Sequence, residues 1–509
     1  MRITNKIMQR NNLANINTNK IYQDKLSTQM STQKKVNRPS DDPVVAIRAL
    51  RLRSSVTEIT QYYSKNIPDA ESWLDVTEDA LKNMSEIVTK MIEQCTKGSN
   101  GDLTSKDREI ILEQLKALGE EVYVTGDADY AGRYVFTGYR TDTSLSFIEA
   151  NNTPYVITEQ LDNSAIDVLT KVDFGNIMNW NASNYTTLTD ADEQAVESLE
   201  IYRFRLAYND CDENYLPSIT YKDAAGNDVT INTTMVHSYA EPSPYTQVAA
   251  NPDAAIYVPE TGEVLLGANK YQELMAIKDD VATVNNEGEI RVTYQKTNWE
   301  VGDLRPEHYF YCKSDPGTTE EIEYNATFLQ GEVEKQAIEY DVGFNQTIRV
   351  NSTADECFQH GIGREVDDLV VALQEVIDLE EIKANIEKEM EKEGADVDKL
   401  QEQLDAVEKA LTLSKDKSQK LFESGITNFQ GYLDDVNLCI TNCGTRSSKL
   451  ELIENRMQSQ KTTFETLKSE NEDADITEVA IKLSSAELTY EAALMATGKV
   501  MQTTLLNFI

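Results

Sequence analysis

Residues 37–45 read NRPSDDPVV and separate two long stretches of helix-forming sequence. Pro39 disfavours helical backbone at Arg38, whereas Asp42 followed by Pro43 has the pattern of a helix N-cap with proline in the first turn. The adjacent carboxylates and hydroxyl raise the alternative of a catalytic or metal site. We predict an interdomain hinge and helix cap made of Pro39, Ser40, Asp41, Asp42 and Pro43.

Long helices are predicted on both sides of this stretch and again in the last third of the chain. Apolar side chains recur at alternating spacings of three and four over residues 63–95 and over 436–467, the pattern of a coiled-coil seam. Pro68 interrupts the first run and is expected to kink or restart the helix there. A shorter helix is predicted over 105–124.

The two chain ends carry the residues predicted to form an assembly interface. An Asn-rich helix over 3–35 is expected to be marginal alone. After the acidic break at 469–475 a final helix begins, with Asp475 as its predicted N-cap. This helix is apolar on several sides and has too few partners within one chain, which predicts self-association. The predicted interface residues are Ile3, Ile7, Ala14, Ile21, Ile476, Val479, Leu483, Tyr490, Val500, Leu505 and Phe508.

The middle of the chain is rich in Thr, Tyr, Val and Asn and lacks the helical period. Three stretches, 218–233, 254–267 and 338–351, each have two alternating runs around a turn and predict β-hairpins. Beyond them the helical pattern returns, with an acidic and Lys-rich hairpin broken near Gly394. We interpret that hairpin as a solvated helical pair.

These patterns predict an α+β fold. A long coiled-coil-like helical bundle is formed by both chain ends, and a large β-rich domain is inserted between them. The predicted segments are a terminal helix at 1–38, a helical rod at 39–141, the β-rich insert at 142–361, a second helical rod with the extra hairpin at 362–470, and a terminal helix at 471–509.

Charge limits the range of partners. The formal net charge is −39, which argues against nucleic acid because a polyanion is repelled. Residues 1–56 are the exception, with eleven Lys or Arg against three Asp. With one aromatic residue, Tyr22, this basic segment is expected to pack against acidic protein surface. No 20-residue apolar span is present, so no membrane partner is expected. The polar N-terminus also lacks the apolar segment of a secretory signal peptide.

Cofactor and catalytic chemistry has little support in the sequence. The six cysteines form no CxxC pair and are predicted to be free buried thiols. His237, His308 and His360 share no metal-ligand spacing. No nucleophile elbow or phosphate-binding loop accompanies Asp41, Asp42 or the Glu-rich run 379–393. We therefore predict no cofactor, no metal, no catalytic residue and no enzyme activity.

Several motifs resemble the bacterial flagellin superfamily and, within it, the hook-associated protein 3 group. At the N-terminal end they are QMSTQKKVNRPSDDPVVAIRALRLR at 29–53, NIPDAESWLDVTEDAL at 66–81 and YVFTGYRTDT at 134–143. At the C-terminal end they are RSSKLELIENR at 446–456 and the whole of 475–509. The β-rich stretch 338–351 also fits. The Pro39–Pro43 segment distinguishes the chain from filament flagellins, whereas Leu145–Phe147 lacks a proline that the group often has.

The resemblance implies a structural, non-enzymatic role at the hook–filament junction. The protein would leave the cell unfolded through the flagellar export channel, without a cleaved signal peptide, and act outside the cell. It would form a homo-oligomeric ring that contacts adjacent hook-associated protein and flagellin subunits. Residues 1–38 and 471–509 would form the inner tube, and the β-rich domain would face outward. A cytoplasmic export chaperone would bind the C-terminal helices.

Two other interpretations stay open at this point. The first is a filament flagellin, against which the 39–43 segment and the 338–351 pattern argue. The second, of a different class, is an intracellular coiled-coil scaffold with a β-rich binding insert. Release of the protein into the medium would exclude a scaffold confined to the cell.

Overall fold

The computed structural model describes residues 5–101, 103–222, 227–277, 289–330 and 336–502. The protein mixes helices and sheets, as predicted, with helices at both ends of the described chain. The helices are α1 (Asn5–Thr32), α2 (Pro43–Gln61), α3 (Ile67–Gly98), α4 (Ser105–Val124), α5 (Pro244–Ala250), α6 (Ala268–Met275), α7 (Ala354–Cys357), α8 (His360–Met390), α9 (Val397–Glu472) and α10 (Ile476–Gln502). The strands are β1 (Asp129–Tyr130), β2 (Arg133–Tyr134), β3 (Tyr155–Leu161), β4 (Ile166–Asp173), β5 (Glu197–Arg205), β6 (Ser218–Lys222), β7 (Asp228–Asn232), β8 (Thr234–Met235), β9 (Ala255–Val258), β10 (Glu263–Leu266), β11 (Ile290–Lys296), β12 (Tyr311–Ser314), β13 (Ile322–Tyr324), β14 (Glu339–Gly343) and β15 (Gln346–Arg349).

The chain divides into two compact units. The terminal unit comprises Met1–Ala70, Tyr340–Ile348 and Ser448–Ile509, and the central unit comprises Glu71–Glu339 and Arg349–Ser447. The two larger sheets lie in the central unit, within the range 142–361. The five segments predicted from the sequence remain a prediction.

The helix predicted around Pro68 is continuous, and its hydrogen-bond pattern changes just before that residue. A π-helical turn, Tyr62–Asn66, follows α2, and the N–H of Ile67 bonds the Tyr62 carbonyl five residues back. α3 follows at Ile67 with no break in helical backbone, so the π-helical turn is where the helix accommodates Pro68, which has no N–H to donate. The predicted apolar positions of α3 are buried: Ile67, Ala70, Leu74, Thr77, Leu81, Met84, Val88, Met91 and Cys95.

Helices of the central unit pack closely in pairs. The Cys443 thiol of α9 donates to the Leu74 carbonyl of α3 at 3.4 Å. A Cβ added to Gly98 would lie 2.5 Å from a ring carbon of Phe422, so only glycine permits this approach of the two helices. The predicted α9 seam is buried in the central unit at Val436, Cys439 and Cys443. In the terminal unit it is buried at Leu450, Ile453 and Met457 and exposed at Leu467.

Two sheets form the β-rich part of the central unit. One is antiparallel, with strand order β13-β12-β3-β11-β6-β7, and the other has the order β4-β5-β10-β9-β8, in which β8 and β9 are parallel. Alternation along β11 buries Ile290, Val292 and Tyr294 on one face. In the second sheet α5 contributes Val248 to a core with Ile201, Ile256, Val258 and Leu265.

All three predicted hairpins are confirmed. β6 pairs with β7, β9 pairs with β10, and β14 pairs with β15. The turn between β6 and β7 lies partly outside the described residues. Gly262 is the last residue of the turn of the second hairpin, at φ +63°, and the Tyr208 carbonyl is so close that a Cβ would clash with it.

The interpretation of the α8–α9 hairpin as a solvated pair is wrong. The break near Gly394 is present, at φ +88°, but the hairpin packs against residues 172–196. Trp180 donates its indole N–H to the buried Gln403 side chain at 2.8 Å. The charged residues cover the outer faces, while apolar positions at helical spacing form a shared core: Val376, Leu379, Ile386, Leu400, Ala406, Val407, Ala410 and Leu411.

Candidate assembly surface

Asp42 caps α2 as predicted. Its Oδ1 accepts the backbone N–H of Val44 at 3.0 Å and of Val45 at 3.1 Å, and Pro43 occupies the first turn. A cap of this kind satisfies backbone donors that the helix leaves unpaired.

The preceding residues form a turn that uses the other acidic side chain. The Asp41 N–H donates to the Arg38 carbonyl at 2.9 Å, and the Arg38 N–H donates to Asp41 Oδ2 at 3.1 Å. Pro39 and Ser40 occupy the central positions of this turn, where the fixed φ of proline is favourable. The carboxylates of Asp41 and Asp42 thus both accept hydrogen bonds from backbone N–H groups. This supports the interpretation as a helix cap over that of a catalytic site.

A short antiparallel contact joins the two chain ends in the terminal unit. Gln33 adopts φ +58° and ends α1. The Lys35 N–H then donates to the Glu472 carbonyl at 2.7 Å, and the Ala474 N–H donates to the Gln33 carbonyl at 2.9 Å. The residues between α1 and α2 are therefore fixed to those between α9 and α10.

Ion pairs reinforce this contact. Arg53 donates from Nε and Nη2 to the two carboxylate oxygens of Glu472, at 2.5 and 2.8 Å. Lys34 Nζ lies 2.5 Å from an Asp473 oxygen. The hydrogen bond from Arg53 lowers the pKa of Glu472, and the hydrogen bond from Lys34 lowers the pKa of Asp473. Part of the basic N-terminal segment thus pairs with acidic residues of the same chain.

The contact orients α10 along α1. Leu26, near the end of α1, packs against Val479 and Ala486, near the start of α10, so the two helices run antiparallel. Asp475 caps α10, as predicted, by accepting the N–H groups of Thr477 and Glu478 at 2.8 and 3.2 Å. The cluster holds three buried apolar residues, with Ala474 and Leu483 partly buried beside them. Such a small core leaves most of both helices without cover.

Large apolar side chains line the uncovered sides of this helix pair. On α10, Ile481, Leu488 and Met495 are 67%, 68% and 66% exposed and recur every seven residues, so they lie on one side of the helix. On α1, Ile7, Met8, Leu13, Ile21, Tyr22 and Met30 are exposed. We call these residues of α1 and α10 the terminal apolar surface.

The predicted interface residues fall into three groups. Ile7, Ala14, Ile21 and Ile476 are exposed. Val479 is buried between α1 and α10, and Leu483 and Tyr490 are half-buried. These residues belong to the predicted seam of α10, which packs against α1 of the same chain. Val500 lies in α10, and Ile3, Leu505 and Phe508 lie outside the described residues.

Ile481, Leu488 and Met495 were not predicted. Their seven-residue spacing was visible in the sequence, but the seam beginning at Ile476 masked it, since both patterns have the same period.

The cysteines and histidines were the candidate reactive and metal-binding groups of the sequence. All six cysteines are free and buried, as predicted. The three histidines do not meet: His360 hydrogen-bonds Tyr208, His308 hydrogen-bonds the Ser144 carbonyl, and His237 contacts Glu260. Burial lowers the pKa of His308 to about 4 and that of His360 to about 3. Within the described ranges, no helix is long and apolar enough to cross a membrane.

Comparison with known proteins finds a similarity in the N-terminal part of the chain. Residues 3–141 match the family of the bacterial flagellin N-terminal helical region, and the chain is flagellin-like over this range. Within that class the chain is similar to flagellar hook-associated protein 3 of Salmonella typhimurium and of Escherichia coli, at 29% identity over 145 residues in each case. The match covers 28% of this chain and 45% of each relative, so it spans less than half of their length. A flagellin of Clostridium tyrobutyricum is 27% identical over 122 residues, 24% of this chain and 32% of that protein. These matches confirm the resemblance found in the sequence.

Solved structures give a more distant likeness. A putative flagellar hook-associated protein from Vibrio parahaemolyticus aligns at 14% identity and a TM-score of 0.34, covering 85% of this chain and all of that one. Flagellar hook-associated protein 3 from Legionella pneumophila aligns at 11% identity and a TM-score of 0.30, covering 82% of this chain and 96% of that one.

Proposed function

We propose that the protein is a structural subunit of the bacterial flagellum that self-assembles through its terminal helices and connects the hook to the filament. The terminal apolar surface is the observation that carries this proposal. It lies on α1 and α10, at the two chain ends, and α1 falls inside the flagellin-like range 3–141. The similarity to flagellar hook-associated protein 3 favours a junction subunit over a filament subunit.

The energetics support association of several copies. Each large side chain of this surface contributes about 1.5–3 kcal/mol when a neighbour buries it, less the cost of ordering the helix ends. Since α1 and α10 share only a small core, a coiled-coil-like bundle of terminal helices from several subunits would bury what one chain leaves exposed. A closed ring is the arrangement that does so without an open end.

The partners and the location follow from this role. A ring would contact an adjacent hook-associated protein on one side and flagellin subunits on the other. The protein would act outside the cell after export in an unfolded form, and the β-rich part of the central unit would face outward. A cytoplasmic chaperone that covers the C-terminal helices would prevent early assembly, because the exposed side chains of α10 would otherwise associate.

The proposed role needs no catalysis and no cofactor. The two carboxylates that could have suggested an active site serve a turn and a helix cap. The junction role would rest on shape and buried area.

Deletion of residues 476–509 tests the proposal. We expect cells with this deletion to build intact hooks without filaments and to shed flagellin into the medium. Normal filaments on such cells would contradict a junction role. Hooks without filaments and without shed flagellin would instead favour a filament subunit.

A further inference from the structure

Three side chains with metal-binding atoms converge at one end of the five-stranded sheet. Glu213, His237 and Glu260 each offer one ligand atom, and these atoms all lie within 4.8 Å of one another. The three residues come from separate loops: after β5, after β8, and in the turn between β9 and β10. No sequence motif links them, which is why ligand spacing along the chain gave no signal.

The backbone holds each of these loops in place. Parallel pairing of β8 with β9, continued by the Val236 N–H bond to the Tyr257 carbonyl at 2.9 Å, brings His237 beside the β9–β10 turn. The Asp210 N–H donates to the Glu260 carbonyl at 3.2 Å, which ties the Glu213 loop to the same turn. The site is therefore largely formed before any ligand enters.

The charges are not balanced by the protein. Nδ1 of His237 lies 2.6 Å from Glu260 Oε1, and the Ser238 N–H donates to Glu260 Oε2 at 3.1 Å. Across the described part of the chain, neither Glu213 nor Glu260 has a Lys or Arg ion-pair partner. Two carboxylates thus face one imidazole ring.

We propose that Glu213, His237 and Glu260 bind a divalent transition-metal cation of the Zn²⁺ class. One imidazole nitrogen and two carboxylates form a donor set that suits such cations, whereas Ca²⁺ and Mg²⁺ prefer oxygen alone. Donor atoms on one tetrahedral zinc lie about 3.3 Å apart. The His237–Glu260 contact would open slightly as the cation enters, and the exposed Glu213 would close inward.

A cation at this site would stabilise the β-rich part locally. It would tie the loops after β5 and β8 to the β9–β10 turn, and water would complete the coordination. His237 is the accessible histidine of the three, since the rings of His308 and His360 are buried. Substitution of His237 therefore removes the imidazole of this site and leaves the other two histidines in place.

Titration of the purified full-length protein with Co²⁺ in the presence of excess Mg²⁺ tests the proposal. Excess Mg²⁺ occupies scattered carboxylates of this acidic chain. We expect one saturable site with a visible cobalt spectrum that lacks a thiolate charge-transfer band. His237→Ala should weaken binding more than about 100-fold and Glu213→Gln at least about tenfold, since even outer-shell changes commonly cost 10- to 100-fold. Glu300→Gln, at another exposed acid, should change nothing.

Thermal unfolding gives a second readout. Zn²⁺ should raise the unfolding temperature of the native protein and of the Glu300→Gln control but not that of His237→Ala. Absence of saturable binding, binding of the same strength in His237→Ala, or a cobalt spectrum dominated by thiolate would each overturn the proposal.

Discussion

Arg53 and Glu472 form a two-bond ion pair between residues far apart in the chain, with N···O distances of 2.5 and 2.8 Å. The Glu472 side chain is 4% exposed and the Arg53 side chain is 52% exposed. The pair lies beside the backbone bonds that join residues 33–35 to 472–474. This relationship sets where α10 begins and therefore which of its sides faces α1.

A double-mutant cycle measures this pair. Arg53→Ala and Glu472→Ala should each increase local opening of α10, and the coupling between them should be about 1 kcal/mol because one partner is exposed to solvent. Hydrogen exchange of the amides in the first turns of α10, including the Val479 N–H that bonds the Asp475 carbonyl, gives the readout. Lys82→Ala, which removes an exposed i,i+4 pair with Glu78, is the matched control and should leave α10 unchanged. Strictly additive single effects would contradict direct coupling.

Acid should loosen the same contact. The pKa of Glu472 is lowered from 4.5 and that of Asp473 from 3.8 by their cationic partners. A lowered carboxylate pKa stabilises the folded state above the unfolded value, and this contribution is lost as pH falls through the lowered value. Exchange of α10 amides, corrected for intrinsic rates, should therefore accelerate from pH 6 to pH 3. The Lys34→Ala, Arg53→Ala double variant should show a flatter pH dependence, and an equally steep one would refute the assignment.

The cap of α2 can be tested with a matched pair of substitutions. Asp42→Ala should destabilise the start of α2 by about 1 kcal/mol, because the N–H groups of Val44 and Val45 lose their acceptor. Asp42→Asn keeps a side-chain oxygen and should retain most of the protection of these two amides. Equal loss in both variants would mean that charge, and not the hydrogen bond, matters at this position.

Glu159 makes the stability of the β-rich part depend on pH between acid and neutral values. Its carboxyl is buried in β3, accepts the Ala207 N–H at 2.8 Å and contacts the Tyr294 hydroxyl, and burial raises its pKa to about 7. A raised carboxyl pKa means that stability falls as pH rises from 4.5 toward 7, since the folded state must then bury a charge.

Glu159→Gln should remove that loss. We expect the variant to be more stable than the native protein at pH 8, by up to about 3 kcal/mol, and close to it at pH 4. Urea unfolding followed by tryptophan fluorescence reports the central unit, because Trp73, Trp180 and Trp299 all lie there. Glu300→Gln is the exposed control. A native stability that does not change between pH 4 and pH 8 would contradict the buried-charge account.

Regular features were predictable because local spacing determines them. The seam of α3 is buried position by position, since each turn of a helix repeats the same constraint. The caps at Asp42 and Asp475 were also predictable, because capping depends on a side chain and the N–H groups two or three residues ahead.

Features that depend on distant partners were not predictable. The sequence could not tell whether the α10 seam covers α1 or another subunit, and in the structure Val479 covers α1 while Ile481 stays exposed. The packing of the α8–α9 hairpin on residues 172–196 was missed for the same reason. Glu213, His237 and Glu260 meet only because β8 pairs with β9.

The most direct test of the account is charge placed on the terminal apolar surface. Ile481→Asp with Leu488→Asp puts two carboxylates on the exposed side of α10 without touching its contact with α1. Leu216→Asp, at a 52% exposed apolar residue of the central unit, is the control. Electron microscopy of cells that produce each variant should show hooks without filaments for the double variant and normal filaments for the control. Normal filaments with the double variant would contradict assembly through this surface.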